Sequence, residues 1–128
     1  MDIKDQVCSL ELSKRLKALG FPQKGAWYWY PIPEVIPYSG GTVKTCGWEI
    51  LYGNKARIYG VDTICSAPTA AEIGMALPLT TWFNHSEREF EVHDVNAKKD
   101  FVAGNEAEAR GLMWEYLKKS GLIKEKNG

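Results

Sequence analysis

Four aromatic residues stand in a row, Trp27-Tyr28-Trp29-Tyr30, and prolines follow at 31, 33 and 37. Rings of this kind favour a pleated surface, so the run from Ala26 to Tyr30 predicts a strand. Successive side chains of a strand point to opposite faces, which puts Trp27 and Trp29 on one face and Tyr28 and Tyr30 on the other. A chain with large rings on both faces of a strand must cover both faces or leave rings in water. Covered rings belong to the core, where aromatics bury large areas. Exposed rings offer a surface that stacks on bases, sugars or a partner protein. Trp27, Tyr28, Trp29 and Tyr30, with Tyr38 from the proline-bearing stretch, are therefore the candidate binding residues. Proline removes a ladder donor, so Pro31 to Gly41 is expected to be an exposed, irregular loop.

Both ends of the chain read as helices. Cys8, Leu12, Leu16 and Leu19 form one stripe at helical spacing, with Ser9 as the expected N-cap, or Asp5 for an earlier start, Gly20 as the terminator and Pro22 beyond it. Near the other end, Asn105 precedes Glu108 by three residues, the spacing of a capping box. Ala109, Leu112, Met113, Tyr116 and Leu117 then make an apolar stripe, Glu115 and Lys119 an i, i+4 pair, and Gly121 the stop. A short middle helix is expected to start at Thr69 with Glu72 as its box partner, or at Ser66 with Pro68 in the first turn, and to end at Pro78.

Between the helices lie strand signals. Thr42 to Tyr52 alternates, with Cys46, Trp48, Ile50 and Tyr52 as the expected core face. Gly53-Asn54 suggests a hairpin into Arg57-Ile58-Tyr59. Leu79 to Asn84 and Glu89 to Val95 read as a strand pair joined around His85-Ser86. Phe90, Val92 and Asp94 share one face of it, and Glu89, Glu91 and His93 a solvated one. Hairpins between terminal helices predict an α+β fold: a mostly antiparallel sheet of four to six strands packed by N- and C-terminal helices, with one short middle helix closing an edge.

The length of 128 residues fits a single domain spanning 1–128. Such a globule buries roughly two-thirds of its unfolded surface and needs no metal or disulfide staple. Cations and anions balance at 16 each, which removes any long-range pull toward phosphate or anionic lipid. The N-terminal residues lack the apolar run of a secretory signal, and no window is apolar enough to span a bilayer. Cys8, Cys46 and Cys65 are odd in number and far apart, as expected of reduced thiols in a cytoplasm.

Three strings carry a resemblance. They are Gln6 to Leu12 leading into a lysine-bearing helix, Ser66 to Gly74 ending in Leu77-Pro78, and Asn105 to Arg110 before Met113 and Tyr116-Leu117. Together they resemble small uncharacterised proteins of gut bacteria and their phages and prophages. The match covers the three helical blocks, about half the chain. It implies a cytoplasmic location and an accessory role on a mobile element, and it brings no catalytic residues.

Chemistry-bearing residues are sparse. Metal sites gather ligands in close pairs, whereas His85 and His93 are separated by seven residues and no cysteine pair is close. No metal or cofactor is expected. A Cys–His nucleophile can be drawn from Cys65 with His85 or His93 and an acid at Asp62 or Asp94, on residue inventory alone. Glu72 is committed to its cap. Lys14, Arg15 and Lys17 either accompany an aromatic platform or form a solvated helix face. The leading expectation is a non-enzymatic accessory protein acting by protein–protein contact, with a second copy of the chain among its candidate partners. A single-stranded nucleic-acid binder using exposed rings and a small Cys/His enzyme are the alternatives.

Overall fold

The computed structural model describes residues 2–35, 43–54, 64–86 and 89–123, with the backbone alone at 33–35 and 43–46. The expected hairpin partner Arg57-Ile58-Tyr59 and the tip of the proline-bearing stretch lie outside the described residues. The fold is α+β, with helices α1 (Leu10–Ala18), α2 (Ala70–Ala76) and α3 (Glu106–Lys119). Among the described residues all strand pairing is antiparallel, but it forms two three-stranded sheets. The first has the order β2 (Val43–Tyr52), β1 (Trp27–Val35), β3 (Cys65–Ser66). The second runs β4 (Thr81–His85), β5 (Phe90–Asp94), β6 (Lys99–Ala103).

Strand β1 corrects the expectation of a loop beginning at Pro31. It continues through Pro31 and Pro33 to Val35, paired with β2, and a register shift falls between the two prolines. The Trp27 carbonyl accepts from the Ala67 N–H, so odd-numbered residues at this end of β1 aim their backbone groups toward β3. Among the described residues, pairing with β3 covers Tyr28 and Trp29. Pro31 has the same phase, so the N–H it lacks belongs to the side of β1 turned away from β2, and the β1–β2 ladder is spared.

The caps that the sequence announces are present. Ser9 Oγ accepts from Leu12 N–H, and Asn105 Oδ1 accepts from Glu108 N–H at 2.7 Å. Thr69 and Glu72 form a complete capping box. Gly20 takes a φ of 92° after α1, and its N–H reaches the Lys17 carbonyl.

Glu108 departs from its expected role. Its carboxylate does not close a box with Asn105 but crosses to α1, accepting from Ser9 N–H at 2.8 Å and from Ser9 Oγ at 2.9 Å. Asn105 Nδ2 donates instead to the Val7 carbonyl. The two helix N-termini thus cap one another, because α1 and α3 start side by side. Glu108→Ala should lower stability by about 1–2 kcal/mol, read by urea denaturation. Glu108→Gln, which keeps an acceptor, should lose less.

The main core joins all three helices to the second sheet. Leu12 and Leu16 of α1, Ile73 of α2, Val92 of β5, and Ala109, Met113, Trp114 and Leu117 of α3 are buried together. Phe21 meets Trp114 edge-on, with centroids 5.0 Å apart. The expected stripe of α3 holds, but burial extends around the helix to Gly111, Trp114 and Glu115. Ile123 folds back onto this core while Leu122 stays exposed. Cys8, placed in the α1 stripe by spacing, lies just ahead of the helix and donates its thiol to the Ala107 carbonyl.

The first sheet carries a small apolar cluster on each face. Val7, Trp29, Cys65 and Ala67 fill one, with Trp48 and Ile50 against them. Tyr28, Tyr30 and Ile64 fill the other. Tyr52, expected on the core face, is mostly exposed at the end of β2. Strand β6 has no counterpart in the sequence reading. The turn before it is held by the buried Asp94, which accepts from Thr80 Oγ1 at 2.6 Å and from Ala97 N–H at 2.8 Å. Lys98 closes that turn with a φ of 52°, where a glycine signal would have been easier to see.

Candidate functional site

The aromatic run is built into the fold. Tyr28, Trp29 and Tyr30 are buried and Trp27 is half-buried. Their polar atoms are occupied as well. Trp29 Nε1 donates to the Cys8 carbonyl at 3.1 Å, Tyr28 Oη to the Gln23 carbonyl at 3.1 Å, and Tyr30 Oη to the Gly53 carbonyl. Trp27 packs edge-on against Tyr52, leaving that pair as the accessible part of the run. Tyr38 lies outside the described residues.

The cations of α1 are engaged with neighbouring elements. Lys14 Nζ sits 4.6 Å from the centre of the Trp48 ring, and Lys17 Nζ donates to the Ile64 carbonyl at 2.6 Å. Arg15 pairs with Glu115 of α3 at 2.7 Å, and that bond raises its pKa. These side chains tie α1 to the first sheet and to α3.

Cys65 is buried, and burial pushes its thiol pKa up despite the opposing charges of Lys17 and Lys14. An activated nucleophile requires the reverse shift. Burial likewise raises the Cys8 thiol, reinforced by Glu108 and Glu72. Asp94 is spent on its turn, and Asp62 lies outside the described residues. His85 and His93 belong to the second sheet, Cys65 to the first. Among the described residues, no group of three or more His, Cys, Asp and Glu side chains is arranged to hold a metal ion.

The exposed apolar surface gathers elsewhere. Leu79, Trp82, Phe83, Val95 and Val102 all stand in water on the second sheet or within two residues of its strands. Strand β4, Thr81-Trp82-Phe83-Asn84-His85, is exposed along nearly its whole length. It is an edge strand, with β5 on one side and no described strand on the other. The Thr80 carbonyl accepts from Val95 N–H and the Ser86 N–H donates to the Glu89 carbonyl, so even-numbered residues face β5. Alternation then turns the backbone groups of Thr81, Phe83 and His85 to the open side. The Thr81 N–H is retained by the Pro78 carbonyl at 3.1 Å. The groups of Phe83 and His85 have no partner among the described residues.

Each face of β4 presents something different. On the helix side, the Arg110 guanidinium lies 3.8 Å from the centre of the Phe83 ring while bonding the Ala70 carbonyl and Glu106. A cleft of about 300 Å³ opens there, lined by Phe83, His85, Phe90, Glu106 and Ala109 with Asn84 and Glu91. On the outer side, Trp82 stacks on His93 with ring centres 4.0 Å apart and planes 13° apart. His93 Nδ1 lies 2.6 Å from Asp100, and its Nε2 lies 3.4 Å from Glu91. This face, expected to be merely solvated, is thus a ring-and-carboxylate row.

Desolvation pulls the His93 pKa down, but the bonds to Asp100 and Glu91 outweigh it and the net shift is upward. A folded-state pKa above the unfolded value stabilises the fold fully below the ordinary imidazole range, about pH 6.5, and less as pH rises through the folded value. An NMR titration should therefore place the His93 midpoint above that of a free imidazole. Asp100→Asn should bring it down; an unchanged midpoint would contradict the assigned contact.

The sequence reading passed over Trp82 and Phe83. The signal was available: adjacent large rings in a strand point to opposite faces, the same argument that drew attention to Trp27–Tyr30. No helix among the described residues is long and apolar enough to cross a membrane. No family of known proteins, curated protein or solved structure matches the chain.

Proposed function

We propose that this chain is a non-enzymatic interaction protein that receives an extended protein segment along the open edge of β4. One observation carries the reading: an exposed, uncharged edge strand with outward backbone groups at Phe83 and His85 and a cleft beside it. Proteins usually blunt such edges with lysine, proline or a covering element. Strand addition uses these features directly, main-chain bonds giving affinity and adjacent pockets giving selectivity.

Charge speaks for a protein over single-stranded nucleic acid as the occupant. The exposed Trp82 is bordered by the carboxylates of Glu91 and Asp100, which repel a phosphate backbone. The α1 cations are turned to contacts within the fold. An accessory role on a phage or prophage, in a cytoplasmic setting, is part of this proposal and is supported by the resemblance of the helical blocks.

The experiment compares proteins retained from a bacterial extract by the native chain and by two variants. A partner kept by Trp27→Ala but lost by Phe83→Pro is expected. A partner kept by Phe83→Pro and lost by Trp27→Ala would overturn the assignment to β4. Salt-sensitive retention of single-stranded DNA by the native chain would replace it with the nucleic-acid reading.

A further inference from the structure

The edge of β4 has a property beyond being open: it is its own complement. We infer that its occupant is β4 of a second copy of this chain, running antiparallel about a two-fold axis at Phe83, an inference that rests on the reading of β4 as a docking edge. The second sheets of the two copies, each of three strands, would then continue as one sheet of six.

Phase, charge and space agree with this register. The two-fold places Phe83 opposite the partner subunit's Phe83, and Thr81 opposite the partner subunit's His85. These are the odd positions whose backbone groups already face outward, so they form the hydrogen-bonded pairs of the new ladder. Phe83 exchanges both bonds with its symmetry mate. His85 N–H donates to the carbonyl of the partner subunit's Thr81, whose own N–H stays with its Pro78 carbonyl as in the single chain. At the even positions Trp82 meets the partner subunit's Asn84.

No formal charge lies on β4, so none meets its like across the seam. Glu91 sits one strand back and Asp100 two strands back. The opposite edge of the sheet, β6, carries Lys99 and Asp100 and is defended in the usual way. On the helix side, the partner subunit's Phe83 ring comes to the mouth of the cleft lined by Phe83, His85 and Phe90, covering apolar surface that one chain leaves wet. A closed, isologous pairing uses up the edge and leaves no template for further addition. The zero net charge adds no repulsion between copies.

Sedimentation equilibrium on the full chain at about 100 µM, a concentration that detects micromolar and weaker pairing, is expected to show a dimer. Phe83→Pro removes an outward N–H and the ring at the cleft mouth, leaves the bonds from β4 to β5 in place, and should give a monomer with an unchanged far-ultraviolet spectrum. Should proline disturb the strand, Phe83→Lys sets two cations face to face and should likewise give a monomer. Mild oxidation of Phe83→Cys should yield a disulfide-linked dimer, since hydrogen-bonded strand positions bring Cα atoms about 5.5 Å apart. A monomer at this concentration overturns the pairing of copies while the docking edge stands or falls by the retention experiment. A dimer that survives both Phe83→Pro and Phe83→Lys overturns the pairing through β4.

Discussion

Trp29→Ala is expected to destabilise the chain by about 4 kcal/mol, the range for deleting a buried aromatic ring. The ring fills the cluster with Val7, Cys65 and Ala67. Its indole N–H also holds the buried Cys8 carbonyl, the residue just before the cap of α1. The substitution therefore opens a cavity and strips one of two donors from the buried Cys8 carbonyl, leaving it Ser13 Oγ at 3.3 Å. Trp29→Phe keeps most of the packing and removes only the donor, so it should cost about 1–2 kcal/mol. Thermal unfolding separates the two, with Trp29→Ala lowering Tm by roughly 10–20 °C. Equal losses for both variants would show that the hydrogen bond outweighs the ring.

Gly111→Val should cost about 3 kcal/mol or more, although glycine inside a helix is normally worth replacing. Gly111 brings the backbone of α3 against side chains at the start of α1. A Cβ there would stand 2.8 Å from Leu12 Cδ2 and 2.9 Å from Cys8 Sγ, closer than van der Waals contact allows. Leu12 and Cys8 are both fully buried and have nowhere to withdraw. Gly111→Ala should cost less, because one methyl asks for a smaller shift and gains helix propensity of about 1 kcal/mol. Gly104 has open space at the corresponding point, so Gly104→Ala should be close to neutral. Urea denaturation of the three variants checks the order.

Features encoded by a few neighbouring residues were legible in the sequence. Ser9, Gly20, the Thr69–Glu72 box and Asn105 act within one helical turn, and each acts where its spacing indicated. What depends on distant partners was not. Glu108 has the spacing of a box residue, but the start of α1 offers its carboxylate better donors. Pro31 reads as a breaker until it is known that its missing N–H would point away from β2. Strand β6 has one well-packed ring, Phe101, and a turn without glycine, so neither periodicity nor turn chemistry announces it. The division into two sheets is a matter of long-range pairing, which alternation within a strand does not record.

The candidate site follows the same rule. The run Trp27–Tyr30 draws attention because its rings are contiguous, yet the fold encloses three of them. Strand β4 reads as an ordinary half of a hairpin. Its distinction is the absence of a described strand on one side, and absence of a neighbour leaves no mark in Thr81–His85 beyond the lack of lysine or proline.

Amide hydrogen exchange, followed residue by residue in dilute and concentrated samples, tests the central claim that the second sheet meets its partner through the β4 edge. In dilute protein, Trp82 and Asn84, bonded to β5, should exchange slowly, and Phe83 and His85 should exchange quickly. On concentration, Phe83 and His85 should gain protection of about tenfold or more while Tyr28, Trp29 and Tyr30 stay unchanged. Protection gained at residues 27–30 with none at Phe83 and His85 would contradict the claim and return the interface to the aromatic strand.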